Sequence, residues 1–160
     1  MLLRDKIIAI YCLIDDMLKG IKHPEDVRRR VSDSEVITTA VISAMYFSGR
    51  HQHALGFMQA TGMIPKILSS SRFCRRIHKV GQLLVEIFLH LGIHIKSLTG
   101  ELQYILDSFP VAACDNIRII RSILLKGKKW RGYTASMRRY FYGIKVQLLA
   151  SKSGIPIRFC

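Results

Sequence analysis

Acidic side chains are scarce in this chain of 160 residues, where 11 Asp and Glu face 25 Lys and Arg. The formal net charge is +14 and the pI is near 10.1. Such a field favours polyanionic partners: DNA, RNA or an anionic membrane surface. The deficit deepens along the chain. Residues 1–100 hold 8 acids against 14 bases, residues 101–160 only 3 against 11, and no acid follows Asp115. CxxC pairs are absent too. The four cysteines, at 12, 74, 114 and 160, read as reduced intracellular thiols, two or three of them buried. Long apolar runs are also missing. The most apolar window, Leu83 to Ile95, is interrupted by Glu86, His90 and His94 and falls short of the ~20 residues of a membrane span. Arg4, Asp5 and Lys6 stand where a signal peptide needs apolar residues, so the chain reads as soluble and cytoplasmic, with no membrane partner.

What is present is a globular composition, 49% hydrophobic and 22% charged, with no low-complexity tract. Ile7, Ile10, Tyr11, Ile14, Met17 and Leu18 recur at helical spacing, and Gly20 ends that segment. A linker with the triplet Arg28-Arg29-Arg30 follows. Ser32-Asp33-Ser34-Glu35 is a capping-box pattern that starts a second helix reaching Gly49. A third fits His51 to Ala60. Ser69-Ser70-Ser71 opens a long fourth helix, basic in its first turns through Arg72, Arg75, Arg76 and Lys79 and apolar later. The third and fourth helices flank a Gly-Met-Ile-Pro turn. They read either as a loose helix-turn-helix, with these arginines facing DNA, or as a helical hairpin of a bundle. His51, His53, Cys74 and His78 include zinc-ligand types without an established finger spacing, and read as a packed Cys with surface histidines.

The texture changes at Thr99-Gly100, which divides the chain into a helical region, 1–98, and a strand region, 99–160. Leu102 to Leu106 has strand character, ending on Asp107 before a Pro110-containing turn. Phe141 to Leu149 reads as a second strand, with Ile144, Val146 and Leu148 on one face. Ser151 to Gly154 signals a hairpin turn, and Ile155 to Cys160 begins a third strand. Asp107 is either a turn-forming aspartate or a hard oxygen ligand for Mg²⁺ or Mn²⁺. Lys126, Lys128, Lys129, Trp130, Arg131 and Tyr133, then Arg138, Arg139 and Tyr140, interleave cations with rings. They could meet phosphates and unpaired bases, or form a solvated basic loop. The class is α+β, helices first and about three strands after.

Asp107-Ser108-Phe109-Pro110-Val111, Cys114-Asp115-Asn116-Ile117-Arg118, Lys126-Gly127-Lys128 with Arg131-Gly132-Tyr133, and Arg139-Tyr140-Phe141-Tyr142-Gly143-Ile144-Lys145-Val146 resemble transposases of the IS982 insertion-sequence family. Ser70-Ser71-Arg72-Phe73 and Arg75-Arg76 are similar too. Gln147 stands where that family suggests His, and Ala112-Ala113 where it suggests a more Pro-like stretch. The resemblance implies a helical DNA-binding region and an RNase H-like DDE domain that cuts and joins DNA with Mg²⁺ or Mn²⁺. Asp107 would be the first catalytic acid and a metal ligand. Arg72, Arg75, Arg76, Lys126, Lys128, Lys129, Arg131, Arg138 and Arg139 would meet DNA. The second Asp and the Glu have no match here, so the expectation is an incomplete sheet and a catalytically incomplete copy. Its partners would be insertion-sequence ends, a second copy or a full-length transposase, in a bacterial or archaeal nucleoid.

Overall fold

A computed structural model describes residues 3–115, 125, 127–135 and 137–160. The chain divides into two units, Met1–Ile87 and Phe88–Cys160. Helices α1 (Leu3–Gly20), α2 (Asp33–Phe47), α3 (His51–Ala60) and α4 (Ser70–Thr99) precede strands β1 (Tyr104–Asp115), β2 (Arg131–Thr134), β3 (Arg139–Ser151) and β4 (Pro156–Phe159). The fold is therefore α+β, with helices preceding an antiparallel sheet. The division between the units falls inside α4.

In the first unit the apolar stripe of α1 buries Ile7, Ile14 and Leu18. Ile7 meets Ile42 of α2, Met58 of α3 and Ile64 in one core cluster. The capping box at the start of α2 forms as the sequence predicts. The Glu35 N–H donates to Ser32 Oγ at 3.0 Å, and the Ser32 N–H donates back to Glu35 Oε2 at 2.6 Å. These two bonds satisfy amides that the first turn leaves without helical partners. Cys12 lies off the buried stripe of α1 and is exposed, as are Cys74 and Cys160. The expectation of two or three buried thiols is thus corrected; Cys114 is half-buried. No helix among the described residues is long and apolar enough to cross a membrane.

In the second unit every strand pairs with β3. β1 runs along its whole length on one side, while β2 and β4 take its two ends on the other. β1 is longer than its sequence suggests. It does not end at Asp107 but continues through Pro110 to Asp115, so the expected turn is absent. Proline is tolerated because β1 is an edge strand among the described residues, where an outward position needs no N–H. A register shift between Ala112 and Cys114 lies beside Gly143, where a Cβ would overlap the Val111 carbonyl. A Cβ on Gly92 would likewise overlap the Ile157 carbonyl, so α4 meets β4 through bare backbone. Phe88 and Phe159 stack edge-on beside it, with centroids 5.0 Å apart. Substituting Gly143→Ala is expected to destabilise the strand unit by about 1–3 kcal/mol, read as a lower urea midpoint. An unchanged midpoint would mean that the β1–β3 approach is not tight.

Candidate nucleic-acid interface

The amino-terminal half of α4 is held to its own unit by Phe73, only 1% exposed, whose ring meets His51 edge-on at 5.4 Å. His51 Nδ1 is also 3.0 Å from Ser43 Oγ, so this histidine serves packing. His53, Cys74 and His78 are exposed. Leu68, Arg72, Arg75, Arg76 and Lys79 line an open groove of about 310 Å³. Arg72, Arg75 and Lys79 are solvent-exposed, at the spacing that puts i, i+3 and i+7 on one helix face.

Arg76 differs from its neighbours. Its Nη2 donates to Asp33 Oδ1 at 2.5 Å and to the Val31 carbonyl at 3.1 Å, and its Nε is buried without a partner. Asp33 is 2% exposed and also holds Arg29, with His23 Nε2 at 3.0 Å from Oδ2. The Asp33 N–H donates to Glu25 Oε1. His23, Glu25 and Asp33 thus cluster as metal-ligand types. Two guanidiniums already compensate the Asp33 carboxylate, so the donor set suits an ion-pair hub better than a divalent cation. Burial pushes the Asp33 carboxyl up, but His23, Arg76 and Arg29 more than offset it and hold it below the ordinary range. Arg76 therefore fastens α4 to the start of α2, and its charge is largely spent there. Nothing in the sequence separates it from Arg72 and Arg75; the distinguishing contact lies 43 residues away.

On the sheet, paired residues share a face. Asp107 stands opposite Leu148, between Ile105–Ala150 and Phe109–Val146 on the same face. It is exposed, and its Oδ1 accepts the Ser108 N–H at 2.7 Å. Its neighbours Ile105 (54%), Phe109 (44%), Val111 (45%) and Ile144 (44%) leave an apolar face open to solvent. Asp115, the other acid of the described strands, is eight positions further along β1, roughly 26 Å of backbone at ~3.3 Å per residue.

The basic-aromatic stretch is not a loop. Lys128–Trp130 forms one 3-10 turn, and Arg131 to Thr134 form β2, a strand that the sequence hides because Gly132 weakens its pattern. The Arg131 guanidinium lies 4.4 Å from the Tyr140 ring centroid, and Tyr140 lies 4.9 Å from Tyr133. These three share Asp107's face, but Tyr140 is eight residues along β3 from Leu148, roughly 26 Å away. Lys128, Arg138 and Arg139 are exposed, and Lys126 lies outside the described residues. On the opposite face, Lys129, Trp130 and Lys145 gather around a groove with Ser108 and Pro110. Within the helical unit the structure thus brings Arg72, Arg75 and Lys79 together, and within the strand unit it brings Lys129 to Lys145 on the face opposite Asp107.

Comparison with family models, with characterised proteins and with solved structures finds no match.

The Asp33 hub yields a stability prediction. Asp33→Ala leaves Arg76 buried without its counter-charge and should destabilise the helical unit by about 3–5 kcal/mol. Arg72→Ala should stay within about 0.5 kcal/mol. Because the folded Asp33 carboxyl is depressed, its contribution is present above the unfolded value near ~3.9 and is lost as pH falls through the lower folded value. Urea midpoints measured from pH 7 down to pH 2 should fall in the acid range, with a shallower fall in Asp33→Asn. Equal midpoints for wild type and Asp33→Ala would remove the hub from the account.

Proposed function

We propose that this chain belongs to the machinery of DNA transposition, as a transposase-like protein whose helical unit grips DNA. Its sheet corresponds to the opening strands of an RNase H-like unit, with Asp107 in the place of the first catalytic acid. The observation that carries the DNA reading is the exposed Arg72–Arg75–Lys79 face of α4, on one open groove in a chain of net charge +14. Three cations on one helix face match the spacing of phosphates along a duplex better than a compact acidic ligand, and their attraction works through counterion release. The resemblance in sequence supplies the narrower identity: an IS982-like transposase acting on the ends of an insertion sequence.

In a DDE site Mg²⁺ or Mn²⁺ would be held by several carboxylates and would supply charge stabilisation for phosphodiester chemistry. Such an ion needs several oxygen ligands, and two-metal sites need carboxylates within a few ångströms of each other. Among the described strands Asp107 supplies one carboxylate, and its neighbours on that face are Ile105, Phe109, Val146 and Leu148. The residues present do not fit the ion. That favours the non-catalytic form of the reading: the chain occupies element ends, or restrains a full-length transposase by binding beside it, without cutting.

The direct test is fluorescence anisotropy with duplex DNA over a range of salt. Affinity should fall steeply as salt rises, and Arg72→Ala, Arg75→Ala or Lys79→Ala should each lower the slope of log K against log salt by about 1. Asp107→Ala should bind like wild type. Salt-insensitive binding, or slopes unchanged in all three helix variants, would overturn the assignment of α4 as the DNA face.

A further inference from the structure

We infer that the groove on the face of the sheet opposite Asp107 is a site for an unpaired nucleotide within single-stranded DNA. Trp130 would receive the base, and Lys129 and Lys145 the phosphates. The groove encloses about 520 Å³, the size of a site for one ligand rather than for a duplex. Its floor carries the Phe141 ring, which lies over Gly132. Gly143 and Gly132 lie on this face, opposite Ala112 and Phe141. A side chain on either would collide, with the Val111 carbonyl in one case and the Phe141 ring in the other. The close packing at both positions therefore demands glycine.

The rim carries the chemistry. Lys129 Nζ lies 5.0 Å from the Trp130 ring centroid, and the exposed Lys145 lines the same groove from β3. No carboxylate is among its described lining residues. An aromatic plane beside two ammonium groups selects a ligand that is both flat and anionic, which is the chemistry of a nucleotide. A stacked base pair cannot present its face to Trp130, so the base must be unpaired. The alternation of β3 keeps this site apart from Asp107: Lys145 and Gln147 face one way, and Leu148, opposite Asp107, the other. The groove therefore works independently of any cutting site on the Asp107 face, and it stands whether or not α4 grips duplex DNA.

Trp130 is the only tryptophan in the chain, so its fluorescence reports on this groove alone. Titrating the full chain with single-stranded oligothymidylate should quench that emission. Lys145→Ala should weaken binding and lower the salt slope by about 0.7, the value for one phosphate contact on a single strand. Trp130→Ala, followed by anisotropy of labelled oligonucleotide, should weaken binding by about fivefold or more, with Trp130→Phe restoring most of it. The combined Arg72→Ala, Arg75→Ala, Lys79→Ala variant should lose duplex affinity yet keep the quenching, which separates this site from the α4 face. Saturating oligonucleotide that leaves Trp130 emission unchanged would overturn the proposal. So would thymidine monophosphate quenching as tightly as the oligonucleotide, since the site would then serve a free nucleotide. Circular dichroism of each variant identifies a loss that is only unfolding, and for Lys145, exposed on its strand, Lys145→Gln provides a second folded test.

Discussion

The pairing of β3 with every other strand governs what the strand unit can do. A strand alternates faces every residue, so one register decides the neighbours of each functional group. With Asp107 opposite Leu148, the acid lies on an apolar face among Ile105, Phe109 and Val146. With Pro110 opposite Lys145, the cationic groove is committed to the other side. A slip of one residue would exchange these assignments. Gly143 helps prevent it, because only glycine allows the β1 backbone to come so close at the register shift beside Cys114.

The helical unit rests on a different constraint, the burial of one carboxylate. Asp33 begins α2 and gathers Arg29, Arg76 and His23. Removing two charges from water costs several kcal/mol, and their geometry must restore it. Here the arrangement ties the linker before α2 to the first turns of α4. It orients the outward face of that helix, so that Arg72, Arg75 and Lys79 lie exposed to solvent. The acid shortage in the sequence gives this buried Asp its weight, because few carboxylates are present to compensate so many cations.

Much of this was legible in the residues. Periodicity with Gly20, the Ser32–Glu35 box and the run His51 to Ala60 placed the helices closely, since local bonds and spacing determine their ends. The alternation of Ile144, Val146 and Leu148 placed β3, and Ser151 to Gly154 its hairpin with β4. Three features were hidden because they depend on distant contacts. Pro110 reads as a turn unless an edge position is known. Arg131 to Thr134 is short and holds a glycine, so only its pairing with β3 makes it a strand. Arg76 looks like Arg72 until Asp33 claims it. Lys145 gave no signal of function, being one polar residue in an alternating strand; its partners in the groove come from the turn before β2.

The central claim is that the chain binds DNA without cutting it, because Asp107 stands without a second carboxylate near it in the described strands. Supercoiled plasmid incubated with the full chain and Mg²⁺ or Mn²⁺ addresses both halves at once. The account predicts retarded plasmid in native gels, and plasmid still supercoiled after the protein is removed. Metal-dependent nicking that disappears in Asp107→Ala would contradict it, as would plasmid that is neither retarded nor cut at low salt.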